Sequence, residues 1–207
     1  MFDAGSTKQK IFEAAVELFA TSGYHNTSMR GIAKAVDIKQ ASIYNHFGGK
    51  EDILNAIFDY YDTNQNNSIA PLNDLLAMVG SRHPHEILMA TIAIYPEEAR
   101  PTMARAILIA NILRTTNERA ELVMSDLIDR AVDYDKPLLQ RMIDLGEIEP
   151  LDINFFAELH ANHCFACALR SSGDRVVSDN NYLGGLEMLF NLVIPSKEKY
   201  GDHEKLG

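Results

Sequence analysis

Residues 28–50, Ser-Met-Arg-Gly-Ile-Ala-Lys-Ala-Val-Asp-Ile-Lys-Gln-Ala-Ser-Ile-Tyr-Asn-His-Phe-Gly-Gly-Lys, constrain this chain more than any other stretch. Met29, Ile32, Ala33 and Val36 recur at helical spacing and make one apolar stripe. Ser28 stands just before them, where its hydroxyl can accept from an orphan backbone N–H. Asp37 falls where the chain has to turn, and Asp is one of the few non-glycine residues that tolerate the left-handed conformation. Ile38, Ile43 and Phe47 then turn inward. Lys39, Gln40, Ser42, Tyr44, Asn45 and His46 are left outward on a second helix of about two turns. Lys50 opens a third helix. Two short helices joined by a tight turn, the second with one apolar edge and an outward set of amides, hydroxyls and a cation, have the layout and chemistry of a major-groove reader. Gln pairs bidentately with adenine and Arg with guanine, while hydroxyls and Lys hold phosphates. The candidate DNA-contacting residues are therefore Ser28, Arg30, Lys39, Gln40, Ser42, Tyr44, Asn45, His46 and Lys50.

Upstream, Ile11, Phe12, Ala15, Leu18 and Phe19 form another amphipathic stripe, predicting a helix from Thr7 to Thr21 with Gly23 just past its end. Three helices sharing an apolar side make a small head over residues 1–50. This head resembles that of the TetR family of one-component bacterial repressors. The matching residues are Ile11-Phe12-Glu13-Ala14-Ala15 with Leu18-Phe19, then Gly23-Tyr24 and Thr27-Ser28-Met29-Arg30. Ile32-Ala33, Ile43-Tyr44 with His46-Phe47, and Lys50-Glu51 with Ile53-Leu54 complete the set. Three positions depart from the family pattern: Asp37 in place of a turn glycine, Gly31 in place of an acidic capping residue, and Lys39 in place of Ser or Thr opening the recognition helix. Each weakens local capping by about 1 kcal/mol or less. The resemblance implies an all-helical homodimer of about nine helices per chain, with residues 51–207 forming a ligand-binding and dimerisation body. It also implies a repressor that binds a palindromic operator and is released by a small molecule.

The charge is divided in a way that agrees. The chain carries a net charge of −10. Residues 1–50 contain six Lys or Arg and four acids, so the head is mildly basic and the body holds the whole acidic excess. An acidic body is repelled by phosphates and should point away from the duplex. A length of 207 residues with 46% hydrophobic content suits one head plus a sizeable helical core. No apolar run reaches about 18 residues, and no basic, then apolar leader is seen, so a cytoplasmic protein without a membrane partner is expected. Cys164 and Cys167, the two cysteines, are too few for a disulfide framework.

The body reads as helices without strands. They are expected over Lys50–Asn66, Pro84–Tyr95, Met103–Thr115, Glu118–Leu145 with a bend at Pro137, Asn154–Ser171 capped by Asp152, and Tyr182–Ile194. The last two carry the expected dimer interface: Phe156, Leu159, His160, His163, Cys164 and Cys167 on one, Leu183, Leu186, Leu189, Phe190 and Val193 on the other. Gly184-Gly185 permits close backbone approach. Two such helices from each of two chains make a four-helix bundle.

His160, His163, Cys164 and Cys167 also share a helix face and suit a soft metal, yet four residues along one helix cannot converge on a single tetrahedral ion. Packing or interface hydrogen bonding is expected of them, with no metal and no cofactor. The alternative is a metal- or thiol-responsive switch with no organic inducer. His83-Pro84-His85-Glu86 reads as a helix start with solvent-exposed imidazoles. Asn111 interrupts an apolar run, where a buried amide needs partners; a structural hydrogen bond to a neighbouring helix is the expectation, and a polar contact inside a ligand cavity is the alternative. By analogy with similar regulators, Phe58, Tyr61, Met89, Tyr95, Met103 and Ile107 would line a small-molecule cavity with Asn111 as its polar contact. No placeable Ser-His-Asp set, phosphate-cradling loop or nucleotide fingerprint supports an enzyme.

Overall fold

The structure, a computed structural model, describes residues 3–66, 70–91 and 98–171, together with positions 184, 185, 188, 190 and 191. Among the described residues there are nine α-helices and no strand. They are α1 (Thr7–Ser22), α2 (Met29–Ala35), α3 (Gln40–Ile43), α4 (Lys50–Asn66), α5 (Leu72–Met78), α6 (Pro84–Ala90), α7 (Arg100–Leu113), α8 (Glu118–Asp144) and α9 (Ile153–Ser171). None is long and apolar enough to cross a membrane.

Two compact units divide the chain. The first holds α1–α4, α7 and the opening of α8. Its core is built where apolar stripes meet. Ile11, Phe12, Ala15, Val16 and Phe19 of α1 are buried, as are Ile53, Leu54, Ile57, Phe58 and Tyr61 of α4. α1 packs on α2, α4 and α7, so the head is continuous with α7 rather than a separate bead. Arg105 of α7 reaches Glu17 of α1 at 2.7 Å. Arg119, in the first turn of α8, bridges Asp59 and Asp62 of α4.

The second unit holds α5, α6, the remainder of α8, most of α9 and the described positions beyond 184. Leu75, Ile87, Leu88, Leu138, Leu139, Met142, Phe156 and Phe190 make its core. α5 was not expected from the sequence. It is seven residues long, opens at Pro71 and buries only Leu75 fully, too little periodic signal to betray a helix. α6 begins as expected, with Pro84 in the first turn where a missing N–H costs nothing. The preceding His83 is no free imidazole: its Nδ1 accepts from the His85 backbone N–H at 3.2 Å. α7 starts at Arg100, earlier than expected, with Pro101 in its first turn. α8 runs on through Pro137. Asp152 caps α9, its Oδ1 accepting from the Phe155 N–H at 3.1 Å.

Candidate nucleic-acid interface

Ser28 is in extended conformation and its Oγ accepts from the Gly31 N–H at 3.1 Å, which starts α2. Arg30 follows in the first turn and is exposed. α2 ends at a turn in which Asp37 has φ of 55°, and the Ile38 N–H returns to the Ala33 carbonyl at 3.0 Å. An acyclic L-residue is strained in that left-handed region, and Asp carries the strain better than most. The turn sets α3 against α2 by burying Ile43 and Phe47 beneath it.

α3 is shorter than the two turns expected. Four residues are helical, and the chain then continues in turns, with the N–H groups of His46 and Phe47 both donating to the Ile43 carbonyl at 3.0 Å. Lys39, at the N-cap, makes no side-chain cap bond. Gln40, Tyr44 and Asn45 are exposed with Lys39, whereas Ser42 and His46 are half-buried. The outward set thus combines an amide, a phenol, a second amide and a lysine beside Arg30, on a surface held from behind by Ile32, Ile43 and Phe47.

Lys50 differs from the rest. Its ammonium donates to the carbonyls of Tyr24 at 2.7 Å and Thr27 at 2.9 Å, and sits 4.3 Å from the centre of the Tyr24 ring. The sequence placed Lys50 among groups facing the duplex. Its bonds run inward, to a loop more than twenty residues upstream that no local pattern reveals.

The expected ligand-lining residues separate. Phe58, Tyr61, Met103 and Ile107 are buried together in the first unit, with Asn111 half-buried on the same helix as the last two. Met89 packs against the core of the second unit. Both cores draw on identical apolar spacing, so the sequence could not tell them apart. Tyr95 lies outside the described residues.

The residues expected at an interface on α9 differ in burial within this chain. Phe156, His160 and Phe190 are 5%, 3% and 0% exposed and fill the second unit's own core. His160 Nδ1 lies 2.6 Å from Asp135 Oδ2, and its ring meets Phe190 edge-on at 5.5 Å. His85 meets the same Phe190 at 5.5 Å, so it too is used inside the unit. His163 is half-buried, and a Cβ at Gly185 would fall 2.5 Å from its ring, so only glycine fits there beside that imidazole. Leu159, by contrast, is 40% exposed, and the sequence missed two neighbours in kind: Phe155 at 66% and Met188 at 74%. Phe155 and Leu159 are four residues apart and form an outward apolar stripe on α9. The side chains of Cys164 and Cys167, and all of Leu183, Leu186, Leu189 and Val193, lie outside the described residues. Among the described residues no three metal-ligating side chains cluster.

Residues 11–57 match the family model described as "Bacterial regulatory proteins, tetR family". Over 69 residues the chain is 42% identical to IcaR of Staphylococcus aureus (strain Newman), the biofilm operon icaADBC HTH-type negative transcriptional regulator. That stretch covers 30% of this chain and 37% of IcaR. The IcaR of Staphylococcus epidermidis is 46% identical over 46 residues, 22% of this chain and 25% of that protein. The chain therefore matches little more than a third of the length of these curated relatives. Among solved structures, the ketosteroid transcriptional regulator KstR2 of Mycobacterium tuberculosis aligns with a TM-score of 0.63 over 94% of this chain and 98% of that one, at 18% identity. AibR in complex with isovaleryl coenzyme A and operator DNA aligns at 0.59, covering 89% and 98%, at 23% identity. Identities this low show a shared fold.

Proposed function

Residues 11–57 of this chain are a tetR-family DNA-binding domain, and from that premise we propose that it works as a homodimeric transcriptional repressor, binding a palindromic operator and released by a small molecule. The observation that carries the DNA half is the exposed row of Arg30, Lys39, Gln40, Tyr44 and Asn45 on a packed helical pair. Gln40 and Arg30 read base edges. Ser28, Lys39, Ser42, Tyr44, Asn45 and His46 hold phosphates or groove edges. The named negative regulation by IcaR supports the sign.

Two recognition helices about 34–36 Å apart read successive major grooves, which one head cannot do. For dimerisation the support is the outward apolar pair of Phe155 and Leu159, one turn apart on α9, since large exposed apolar side chains in company mark contact surfaces.

For the ligand, the support is AibR, a shared fold solved with both an acyl thioester ligand and operator DNA. A ligand of this chain would enter among Phe58, Tyr61, Met103 and Ile107, with Asn111 as polar contact. Those side chains already pack closely, so an occupant has to part α4 from α7, and α4 begins in the head. To turn a 99:1 competent population into 1:99 the ligand needs about 5.5 kcal/mol of differential affinity for the released state.

Selection of bound sequences from randomised duplex DNA tests the reading and should return a palindrome. Gln40→Ala should then cost about 1–3 kcal/mol on that operator and relax preference at one base per half-site. A selection that enriches no motif would refute it.

A further inference from the structure

The loop between α1 and α2 is tied down from every side. The single Thr27 Oγ1 proton is shared between the Gly23 carbonyl at 2.9 Å and the Leu18 carbonyl at 3.2 Å. The Tyr24 ring meets Phe19 edge-on at 5.1 Å. Lys50 closes the arrangement from α4: two of its three N–H donors go to the Tyr24 and Thr27 carbonyls, and its charge lies over the Tyr24 ring. Burial, with Glu51 adding to it, pushes the Tyr24 phenol up from its ordinary value, so the face under the ammonium stays neutral. The residue after Thr27 is Ser28, whose hydroxyl starts α2 and so places Arg30.

We infer that Lys50 is a positioning residue for operator recognition: it fastens the first turn of α4 to the α1–α2 loop and thereby fixes where α2 begins, and it is not a phosphate ligand. The inference rests on the operator-binding reading above. A lysine that neutralised a phosphate would have to leave two charge-assisted main-chain bonds and a cation–π seat, and would take from the Thr27 carbonyl, next to the start of α2, its ammonium donor. The whole arrangement also explains why a lysine, rather than an arginine, stands here. A compact ammonium on a flexible stem fits between two carbonyls and a ring, whereas a planar guanidinium needs a wider, flat acceptor.

The test compares operator and random-sequence duplex binding across a salt series for the full chain and for Lys50→Met, Lys50→Arg and Tyr24→Leu. A phosphate ligand contributes about 0.9 to the slope of log affinity against log salt, and Lys50→Met would remove that contribution. A positioning residue leaves the slope within about half a unit, lowers operator affinity by about tenfold, and changes random-sequence affinity by less than about threefold. Lys50→Arg should share the operator defect, although it keeps the charge. Tyr24→Leu, which takes away the seat, should weaken operator binding in the same sense. A slope lowered by about one, with both duplexes weakened equally, would overturn the inference. So would an arginine variant that matches the parent, or a Tyr24→Leu variant that binds the operator more tightly because its lysine has been freed. Lys50→Arg and Tyr24→Leu keep the test decisive if Lys50→Met does not fold, which thermal unfolding reports. A parent chain with no operator preference at all would mark the failure of the regulator reading instead.

Discussion

The head and the second unit use polar side chains in opposite ways. Apart from Thr27 and the inward bonds of Lys50, the head keeps its core apolar and turns Arg30, Lys39, Gln40, Tyr44 and Asn45 outward. The second unit takes Asp135 and His160 inside, at 1% and 3% side-chain exposure, and pairs them at 2.6 Å among Phe156, Phe190 and Leu138. Outward polar groups cost the fold almost nothing and are free to meet a ligand. An inward pair costs desolvation of both members and repays it only through good geometry. On the proposed reading the head's polar residues govern binding with little effect on folding, while the pair in the second unit governs folding.

That contrast can be broken by mutation. The largest effect should come from His160→Leu or Asp135→Leu alone. Each removes one member of a buried hydrogen-bonded pair, at a cost of about 3–5 kcal/mol to unfolding free energy. The double leucine variant should recover much of the loss, because an apolar pair needs no desolvation. Urea unfolding of the three variants measures this. Singles that cost no more than the double would mean that the pair is not coupled, and that both units handle polar groups alike. Gln40→Ala gives the other side of the contrast, with operator affinity lost and the urea midpoint unmoved.

The outward apolar stripe of α9 comes next. Phe155→Glu with Leu159→Glu puts two carboxylates where the dimer reading needs dry contact. Association should weaken by about a hundredfold, roughly 3 kcal/mol, while circular dichroism and the urea midpoint of the monomer stay close to the parent. Sedimentation velocity checks it. The corresponding change at Phe156, one residue on, should unfold the unit instead, since that ring is buried. An unchanged dimer from the Phe155 and Leu159 variant would move the interface off this face.

What the sequence revealed follows the same line between local and tertiary. The head was legible because each of its devices is local. Ser28 caps a helix three residues away, Asp37 takes the left-handed turn by its own conformational tolerance, and Ile43 and Phe47 share a stripe with Ile32. The body was legible only as helices. Spacing alone put Phe156 and Leu159 on one side of α9, yet the first is buried and the second exposed, because what packs on α9 is decided by Asp135 and Phe190, distant in sequence. Met89 and Met103 carry equal apolar signals but belong to different cores. Lys50 looked outward because its acceptors are main-chain carbonyls, and no side-chain pattern records those.

A smaller effect tests the local end of this scale. Asp37→Gly removes a Cβ from a position with φ of 55°. The left-handed region costs an L-residue about 1–2 kcal/mol, and a glycine loses part of that gain through the extra freedom of its unfolded chain. The variant should be more stable by about 0.5–1 kcal/mol in urea, with operator specificity unchanged. A loss of stability would mean that the Asp37 carboxylate does more than tolerate its turn.

The smallest effect sets an exposed ion pair against the buried Asp135–His160 hydrogen bond. Arg105 and Glu17 meet at 2.7 Å with 26% and 50% of their side chains exposed, joining α7 to α1. The geometry is as short as that of Asp135 with His160, so distance alone predicts equal worth. Burial predicts otherwise. Water screens the exposed pair, and salt screens it further over a Debye length of about 8–10 Å. A double-mutant cycle of Glu17→Gln and Arg105→Gln should return a coupling of about 0.2–1 kcal/mol in dilute buffer. In about 1 M salt, where the Debye length falls to about 3 Å, that coupling should vanish. The Asp135 and His160 cycle should keep most of its coupling in the same salt, because no ion reaches the pair. If the two cycles respond to salt alike, the second unit is more open to solvent than its side chains imply, and the contrast between an outward and an inward use of charge fails where it is most easily measured.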